Sequence, residues 1–158
     1  MATELEDLRI LKTAETIADA IWKQVSQWDE FARDVVGKQI ARAADSVGAN
    51  IAESFGRFNY GEKLQFLYYS RGSLFETKYW LNRCLARGLM QADEVNDYTD
   101  RLTEVARQLN VFASSLKSQR SSNKNQPKTI RESSTEYTTQ YNESNTVFTD
   151  TDFNWLGT

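Results

Sequence analysis

Hydrophobic residues recur along the first three quarters of the chain at alternating steps of three and four. The clearest set is the last: Val95, Tyr98, Leu102, Val105, Leu109, Phe112 and Leu116. Three sets precede it: Leu11, Ala14, Ala18, Ile21, Val25, Trp28; then Val36, Ile40, Ala43, Val47, Asn50; then Leu67, Ser70, Leu74, Thr77, Leu81, Cys84. Such steps place side chains on one face of an α-helix, so the pattern predicts four amphipathic helices. Their expected spans are about 5–28, 32–57, 60–88 and 92–118.

The connections between these helices are short. Residues 29–31 separate the first pair and residues 58–59 the second. Gly88 lies where a left-handed residue would end the third helix. Because short loops force successive helices to run in opposite directions, we predict an all-α fold, an antiparallel up-down-up-down four-helix bundle over residues 5–118.

The periodic pattern stops at about residue 119. About half of residues 119–158 are Ser, Thr, Asn or Gln. Such a segment buries too little apolar surface to offset the entropy lost on ordering, so we predict a disordered C-terminal tail. The end of the tail nevertheless carries apolar residues that suggest a docking motif: Phe148, Phe153, Trp155 and Leu156. The alternative is that these terminal residues have no role.

Composition and charge narrow the class of protein. Seven glycines and one proline are too few for a turn-rich β protein. Residues 1–118 hold 15 Lys and Arg against 17 Asp and Glu, a net charge of −2. Proteins that grip nucleic acid through its phosphates usually have a basic excess, which this composition lacks, although a local basic patch stays open.

The chain has the features of a cytoplasmic protein. It has one cysteine, so it forms no internal disulfide and suits a reducing compartment. Its acidic start lacks an apolar signal core, and no segment approaches the ~20 apolar residues that a membrane span needs. We therefore expect a cytoplasmic location and no membrane partner.

The chain contains no histidine. This removes the commonest general base, the commonest metal ligand and the Glu-x-x-His pairs of di-iron bundles. No glycine-rich phosphate loop, zinc pattern or dinucleotide fingerprint is present. We therefore expect no enzyme, no catalytic residue, no metal, no cofactor and no small-molecule substrate. A hydrolase that uses a carboxylate of the second helix is a minor alternative.

Polar residues also follow a helical spacing along the second helix and its exit. They are Gln39, Arg42, Ser46, Asn50, Glu53 and Arg57. Because an unpaired buried polar group costs ~1–3 kcal/mol, we predict a structural polar network along this stripe. Glu62 and Glu76 of the third helix are the expected partners of Arg42 and Arg57. A ligand or RNA site and a catalytic carboxylate pair are the alternatives.

Two further features of the second and third helices suggest close contacts. Gly48 inside a helix costs ~1 kcal/mol relative to alanine, so we expect another backbone near it, with Gly72 and Ser73 as candidates, or else a kink. The third helix is aromatic beyond its core face, which predicts a subunit interface unless loops or the tail cover it. The interface residues would be Phe66, Tyr68, Tyr69, Phe75, Tyr79 and Trp80.

The same region resembles a known family, the bacterial four helix bundle proteins. The matching residues are Gln39-x-x-Arg42-Ala43-x-x-Ser46-Val47-x-x-Asn50-Ile51-Ala52-Glu53-x-x-x-Arg57, then Glu62-x-x-x-Phe66-Leu67 and Gly72-Ser73-Leu74-x-Glu76. That family includes the protein encoded in intervening sequences of bacterial large-subunit ribosomal RNA. It also includes the accessory variability determinant of diversity-generating retroelements. Gly48 stands where the family commonly has proline, and Ser54 where glycine usually follows the glutamate.

The resemblance covers about residues 5–118 and implies a ring of subunits, typically a pentamer. We therefore expect a non-enzymatic, homo-oligomeric helical scaffold or adaptor that binds protein partners. The alternative is a nucleic-acid-binding accessory subunit of a diversity-generating reverse transcriptase, with that enzyme and its RNA as partners. The candidate nucleic-acid contacts would be Arg42, Arg57, Arg71, Lys78 and Arg83.

Overall fold

The computed structural model describes residues 3–124 and 146–158. Within these two ranges the chain is helical and contains no strand, which confirms the predicted all-α class. The elements are α1 (Thr3–Val25), the short α2 (Glu30–Ala32), a π-helical segment (Arg33–Gly37), α3 (Lys38–Phe55), α4 (Tyr60–Ala86), α5 (Ala92–Lys124) and α6 (Asp150–Gly157). No helix in the described ranges is both long and apolar enough to cross a membrane.

Polar caps begin two of the helices, and a glycine follows the end of a third, at the connections expected from the sequence. The Asp29 carboxylate accepts a hydrogen bond from the Ala32 amide at 3.0 Å, which begins α2. The Asn59 side chain does the same for the Gly61 amide at the start of α4. Gly88 has a φ of 71°, so the left-handed residue predicted after the third helix is confirmed.

The core lies between the four long helices. Helix α1 packs mainly on α3 and α5, and α4 packs mainly on the same two helices. The largest fully buried side chains of these four helices are Ile17, Ile21, Ile40, Val47, Ile51, Leu67, Leu74, Leu81, Leu102 and Leu109, and all but Ile17 and Ile51 stand at the predicted periodic positions. Each contributes ~1.5–3 kcal/mol by its removal from water, so packing of these faces supplies most of the stability of the helices.

The π-helical segment brings the second helical stretch close to α1. Gly37, at the end of this segment, is buried. A Cβ atom built on Gly37 would lie only 2.5 Å from Val25 Cγ1. A larger residue at this position would therefore force Val25 or one of the two helices to shift.

The prediction that Gly48 lies against Gly72 and Ser73 is wrong. Gly48 faces α1, where an added Cβ would lie 3.7 Å from both Ala14 Cβ and Leu11 Cδ1, an ordinary contact distance. A Cβ on Gly72 would meet nothing within 4 Å among the described residues. Helix α3 packs between α1 and α4. Gly48 lies on its α1 side, and other residues of α3 contact α4.

Buried polar groups join α3 to α4. The Ser70 hydroxyl donates to the Val47 carbonyl oxygen at 2.9 Å. The Ser54 hydroxyl donates to the Lys63 carbonyl oxygen at 2.9 Å. Both hydroxyls are fully buried, so these bonds satisfy groups that would otherwise be unpaired in the core.

The prediction of a disordered tail over residues 119–158 is wrong at both ends. Helix α5 continues to Lys124, and residues 150–157 form α6. Val147, Phe148 and Leu156 are buried. Residues 125–145 of the predicted tail lie outside the described residues. The overall polarity of the tail concealed a short apolar cluster at its end, and that cluster is buried against the helices.

Candidate functional site

The last thirteen residues, 146–158, form a locally stabilised unit, which we call the C-terminal segment. The Thr149 hydroxyl accepts a hydrogen bond from the Asp152 amide at 3.2 Å, and the Asp152 carboxylate accepts one from the Thr149 amide at 2.7 Å. This capping box satisfies two amides at the start of α6. Asp150 and Asp152 also place negative charge in the first turn, where the helix dipole favours it.

The segment lies on a surface formed by Arg71 and Phe75 of α4 and Asn110 of α5, which we call the docking groove. The Asn110 carboxamide nitrogen donates to the Phe148 carbonyl oxygen at 2.9 Å. Its oxygen accepts from the Phe148 amide at 2.8 Å. Asn110 therefore binds the backbone of the segment at two points, as a neighbouring β-strand would, while the Phe148 side chain is buried.

Aromatic stacking fixes the segment on α4. The Phe75 ring stacks on Phe148, with centroids 6.1 Å apart, and on Trp155, with centroids 5.1 Å apart. Phe153 packs against Phe148 at 6.0 Å. Phe148 is 1% exposed and Leu156 is 0% exposed. Burial of each of these two side chains contributes ~1.5–3 kcal/mol, so the segment is held chiefly by apolar contact.

An ion pair also joins the C-terminal segment to α4. Arg71 Nη2 lies 3.1 Å from Asp152 Oδ1, and both side chains are mostly covered. The Arg71 guanidinium also lies 4.7 Å from the centre of the Phe75 ring. Arg71 Nε is buried and has no hydrogen-bond partner among the described residues. The Asp152 carboxylate thus both caps α6 and pairs with Arg71 of the groove.

The structure brings together the four residues of the predicted docking motif. Phe148 and Leu156 are buried, Phe153 is half-buried and Trp155 is 39% exposed. Asn110 and the role of Arg71 were not predicted from the sequence, because their partners lie 38 and 81 residues away. The Thr149-x-x-Asp152 spacing is a signal in the sequence that predicts the start of α6.

The predicted subunit interface on α4 needs one correction. Phe75 is stacked on the C-terminal segment of its own chain and is not free for another subunit. Covering by the tail, the alternative given above, therefore applies to this residue. Tyr69 and Tyr79 are 48% and 49% exposed. The half-buried members of the predicted interface are Phe66, Tyr68 and Trp80.

The predicted polar network on α3 is not formed. Asn50 donates to the Ser46 carbonyl oxygen at 2.8 Å and to Ser73 Oγ at 3.4 Å. The Ser46 hydroxyl donates to the Arg42 carbonyl oxygen within the same helix. These bonds are local, apart from the single link to α4.

The charged members of the stripe lie on the surface. Glu53 and Arg57 form a largely exposed pair one turn apart, 2.6 Å between oxygen and nitrogen. Such pairs contribute only ~0.3–0.5 kcal/mol. Among the described residues no ion pair joins Glu62 or Glu76 to either arginine. Gln39, Arg42 and Glu53 of the stripe are exposed, as are the expected partners Glu62 and Glu76 on α4, so water rather than a buried partner solvates these groups. Ser46, Asn50 and Arg57 are half-buried.

The candidate nucleic-acid contacts differ in how exposed they are and in whether they are already paired. Lys78 is 3% exposed and its Nζ donates to Thr99 Oγ1 at 3.2 Å, so it is a buried residue of the α4–α5 contact. Burial lowers the pKa of Lys78. Arg71 is paired with Asp152, and Arg83 is half-buried with its guanidinium 5.9 Å from the Tyr79 ring. Arg42 is exposed. Lys78 is therefore removed from the candidate set.

Cys84 lies in the core. Its side chain is fully buried, and burial raises the pKa of the thiol to about 11, with Arg87 acting weakly in the opposite direction. A nucleophilic cysteine needs the opposite shift, toward the thiolate at neutral pH. The Cys84 thiol therefore behaves as a small apolar group.

These features define an all-helical protein that holds a short peptide segment in a groove between two of its helices. The chain belongs to the family of 23S rRNA-intervening sequence proteins, whose sequence profile matches residues 6–111. This finding confirms the family suggested by the resemblance. The match includes Asn110 and ends before the C-terminal segment. No curated protein sequence matches the chain.

Proposed function

We propose that this protein is a non-enzymatic helical scaffold that binds protein segments in the docking groove and assembles with copies of itself. The observation that carries this proposal is the two-point bond between Asn110 and the backbone of Phe148. Hydrogen bonds to peptide backbone give affinity for an extended segment, and adjacent pockets for side chains give specificity. The groove supplies both, together with a cation at Arg71.

Assembly is supported by the aromatic side chains of α4 that the C-terminal segment leaves uncovered. Tyr69 and Tyr79 are about half exposed, and each packs edge-on against a neighbouring aromatic, Phe66 and Trp80 respectively. In this proposal the four long helices alternate in direction as a bundle. The bundles then form a cytoplasmic ring, with five subunits as the resemblance implies.

Light scattering of the purified full-length chain tests the assembly. A mass several times 18.2 kDa at micromolar concentration is the expected result. The double substitution Tyr69→Ser and Tyr79→Ser should lower that mass, whereas Phe31→Ser, which alters a 77% exposed aromatic on α2, should not. A monomeric mass for the unaltered chain would contradict the assembly.

A labelled peptide of residues 146–158 tests the groove. The receptor is the full-length chain with Phe148→Ala and Leu156→Ala, which weaken its own segment. The peptide should bind this receptor, and an added Asn110→Ala should reduce the affinity by about tenfold or more. The control is Asn96→Ala, an exposed asparagine on the same helix. Equal binding to both receptors would overturn the role given to Asn110.

The accessory role beside a reverse transcriptase has less support from the arrangement of charges. Of the cations that would contact RNA, Lys78 is buried and Arg71 is paired with Asp152. Phosphate binding needs several accessible cations on one surface. Retention of a template-like RNA at physiological salt, lost on Arg42→Ala, would favour this role over the scaffold.

A further inference from the structure

The C-terminal segment uses each of the three residues that define the docking groove. The Asn110 carboxamide uses both its donor and its acceptor on the Phe148 backbone. Arg71 pairs with Asp152, and the Phe75 ring stacks on Phe148. A segment of another protein that binds through the same groups must therefore displace the segment already present.

The segment that occupies the groove belongs to the same chain. Residues 125–145 connect it to the end of α5 at Lys124, fourteen residues beyond Asn110 and about 21 Å further along the helix. A connection of 21 residues spans up to about 70–75 Å when extended, so it is long enough to return to the groove. Docking of a tethered segment is intramolecular. A free segment therefore competes against a fixed effective concentration, whatever the concentration of the protein.

The segment is separable from the helices beneath it. The capping box that starts α6 joins Thr149 to Asp152 and involves no other part of the chain. The segment contributes Val147, Phe148 and Leu156 to the buried residues, whereas side chains of α1, α3, α4 and α5 themselves fill the interior between those four helices. The family match ends at residue 111, before the segment. We therefore expect the core of the four long helices to persist when the segment leaves.

We infer that the docking groove is autoinhibited: the C-terminal segment of the same chain closes it, and a partner segment binds only when residues 146–158 leave. This inference rests on the proposed function and names the regulation of the same site. The chemistry of the partner follows from the contacts that it must replace. It is a peptide with an extended aromatic residue for Asn110 and a carboxylate four residues further on for Arg71, the spacing of Phe148 and Asp152.

Autoinhibition has a consequence that a purely structural role of the segment lacks. When the groove is open in a small fraction of molecules, the apparent dissociation constant of a partner peptide is its intrinsic value divided by that fraction. Substitutions that weaken docking of the chain's own segment should therefore strengthen the binding of a free peptide. Damage to the groove would weaken that binding. The direction of the change thus distinguishes release of the segment from loss of structure.

Binding of a labelled peptide of residues 146–158 to full-length receptors tests the inference. By fluorescence anisotropy the peptide should bind the Phe148→Ala chain about tenfold more tightly than the unaltered chain, or better, because alanine removes the buried ring of the chain's own segment. The matched control is Asn154→Ala, an exposed residue of α6, which should bind the peptide as the unaltered chain does. Asn110→Ala, added to the Phe148→Ala chain, should abolish the gain.

Cleavage of the connection is a second test that alters no residue of the groove or of the segment. A protease site is placed within residues 125–145 of the full-length chain, and the protein is cut and diluted to nanomolar concentration. The freed segment then competes only at its own low concentration, so the labelled peptide should bind about tenfold more tightly or better. The chain without the site, treated with the same protease, is the control.

The outcomes separate the inference from the proposed function. Tighter binding after substitution and after cleavage supports autoinhibition, and cleavage alone decides if Phe148→Ala fails to fold. Equal binding to the unaltered, substituted and cut chains rejects autoinhibition and leaves the proposed groove in place. Absence of binding to every receptor, with circular dichroism that shows them folded, rejects the proposed binding of segments and the inference together.

Discussion

Asn110 and Phe148 are joined by two hydrogen bonds, 2.9 and 2.8 Å long, although 38 residues separate them in the chain. The Asn110 carboxamide presents a donor and an acceptor on one side, which match the carbonyl oxygen and amide of a single extended residue. This pairing lets the Phe148 side chain be buried without leaving its backbone unsatisfied. It fixes the position at which the C-terminal segment begins its contact with α5.

Asn110→Ala should release the C-terminal segment. It leaves the Phe148 amide and carbonyl without their partners, and an unsatisfied buried group costs ~1–3 kcal/mol. Hydrogen exchange within residues 146–158 should then become about tenfold faster or more. The matched control is Asn96→Ala, exposed on the same helix. Exchange that stays at the original rate would show that the apolar contacts alone hold the segment.

Gly37→Ala should destabilise the fold although alanine is the better helix former. The added Cβ would lie 2.5 Å from Val25 Cγ1, on a side chain with little freedom to move away. We expect the free energy of unfolding to fall by ~1–3 kcal/mol in urea melts.

Gly72→Ala is the matched comparison for Gly37→Ala. It lies inside α4 with nothing within 4 Å of its Cβ position among the described residues, and it should stabilise by ~0.5–1 kcal/mol. If both substitutions stabilise, the close contact between Gly37 and Val25 is incorrect.

Cys84 should react slowly with thiol reagents. Burial raises its pKa from 9.0 to about 11, so at a pH of about 8 the thiolate fraction is about a hundredfold lower than in the unfolded chain. The rate should keep rising with pH toward 11 in the folded protein and level off near 9 in urea. Because the chain has one cysteine, the reagent reports on this site alone. Equal rates with and without urea would place Cys84 at the surface.

The raised pKa of Cys84 should also lower the stability of the folded protein at alkaline pH. Its folded pKa lies above its unfolded value, so the stability it contributes is complete below pH 9 and is lost as the pH rises to about 11. Urea melts across this window should therefore show a smaller loss for Cys84→Ala than for the unaltered chain.

Lys78→Met should stabilise the protein at neutral pH. The ammonium group is buried against α5, where Thr99 accepts a hydrogen bond from it, and burial lowers its pKa. Because the unfolded chain holds the proton more tightly, the unaltered protein gains stability as the pH rises toward 10.5, and the advantage of methionine should shrink over that range. The control is Lys12→Met, on the exposed face of α1. A large loss of stability on Lys78→Met would mean that the bond to Thr99 outweighs the cost of burying the charge.

The four long helices and most of the core could be predicted from local sequence. Side chains three and four residues apart share a helix face whatever the rest of the chain does, so Ile21, Leu74 and Leu109 could be assigned to the interior in advance. The end of the third helix at Gly88 was equally local, because only glycine adopts a positive φ without strain.

Which polar residues are buried or paired depends on contacts between distant parts of the chain. Lys78 and Arg42 look alike in the sequence, yet packing of α4 on α5 buries the first, and the second faces solvent. In the sequence Asn110 looks like a surface residue, because its partner Phe148 lies 38 residues further along the chain. The C-terminal segment is too polar on average to predict as folded, and it becomes ordered because the groove is complementary to its few apolar side chains. Helical periodicity is a property of neighbouring residues, whereas burial, pairing and docking depend on which distant surfaces meet.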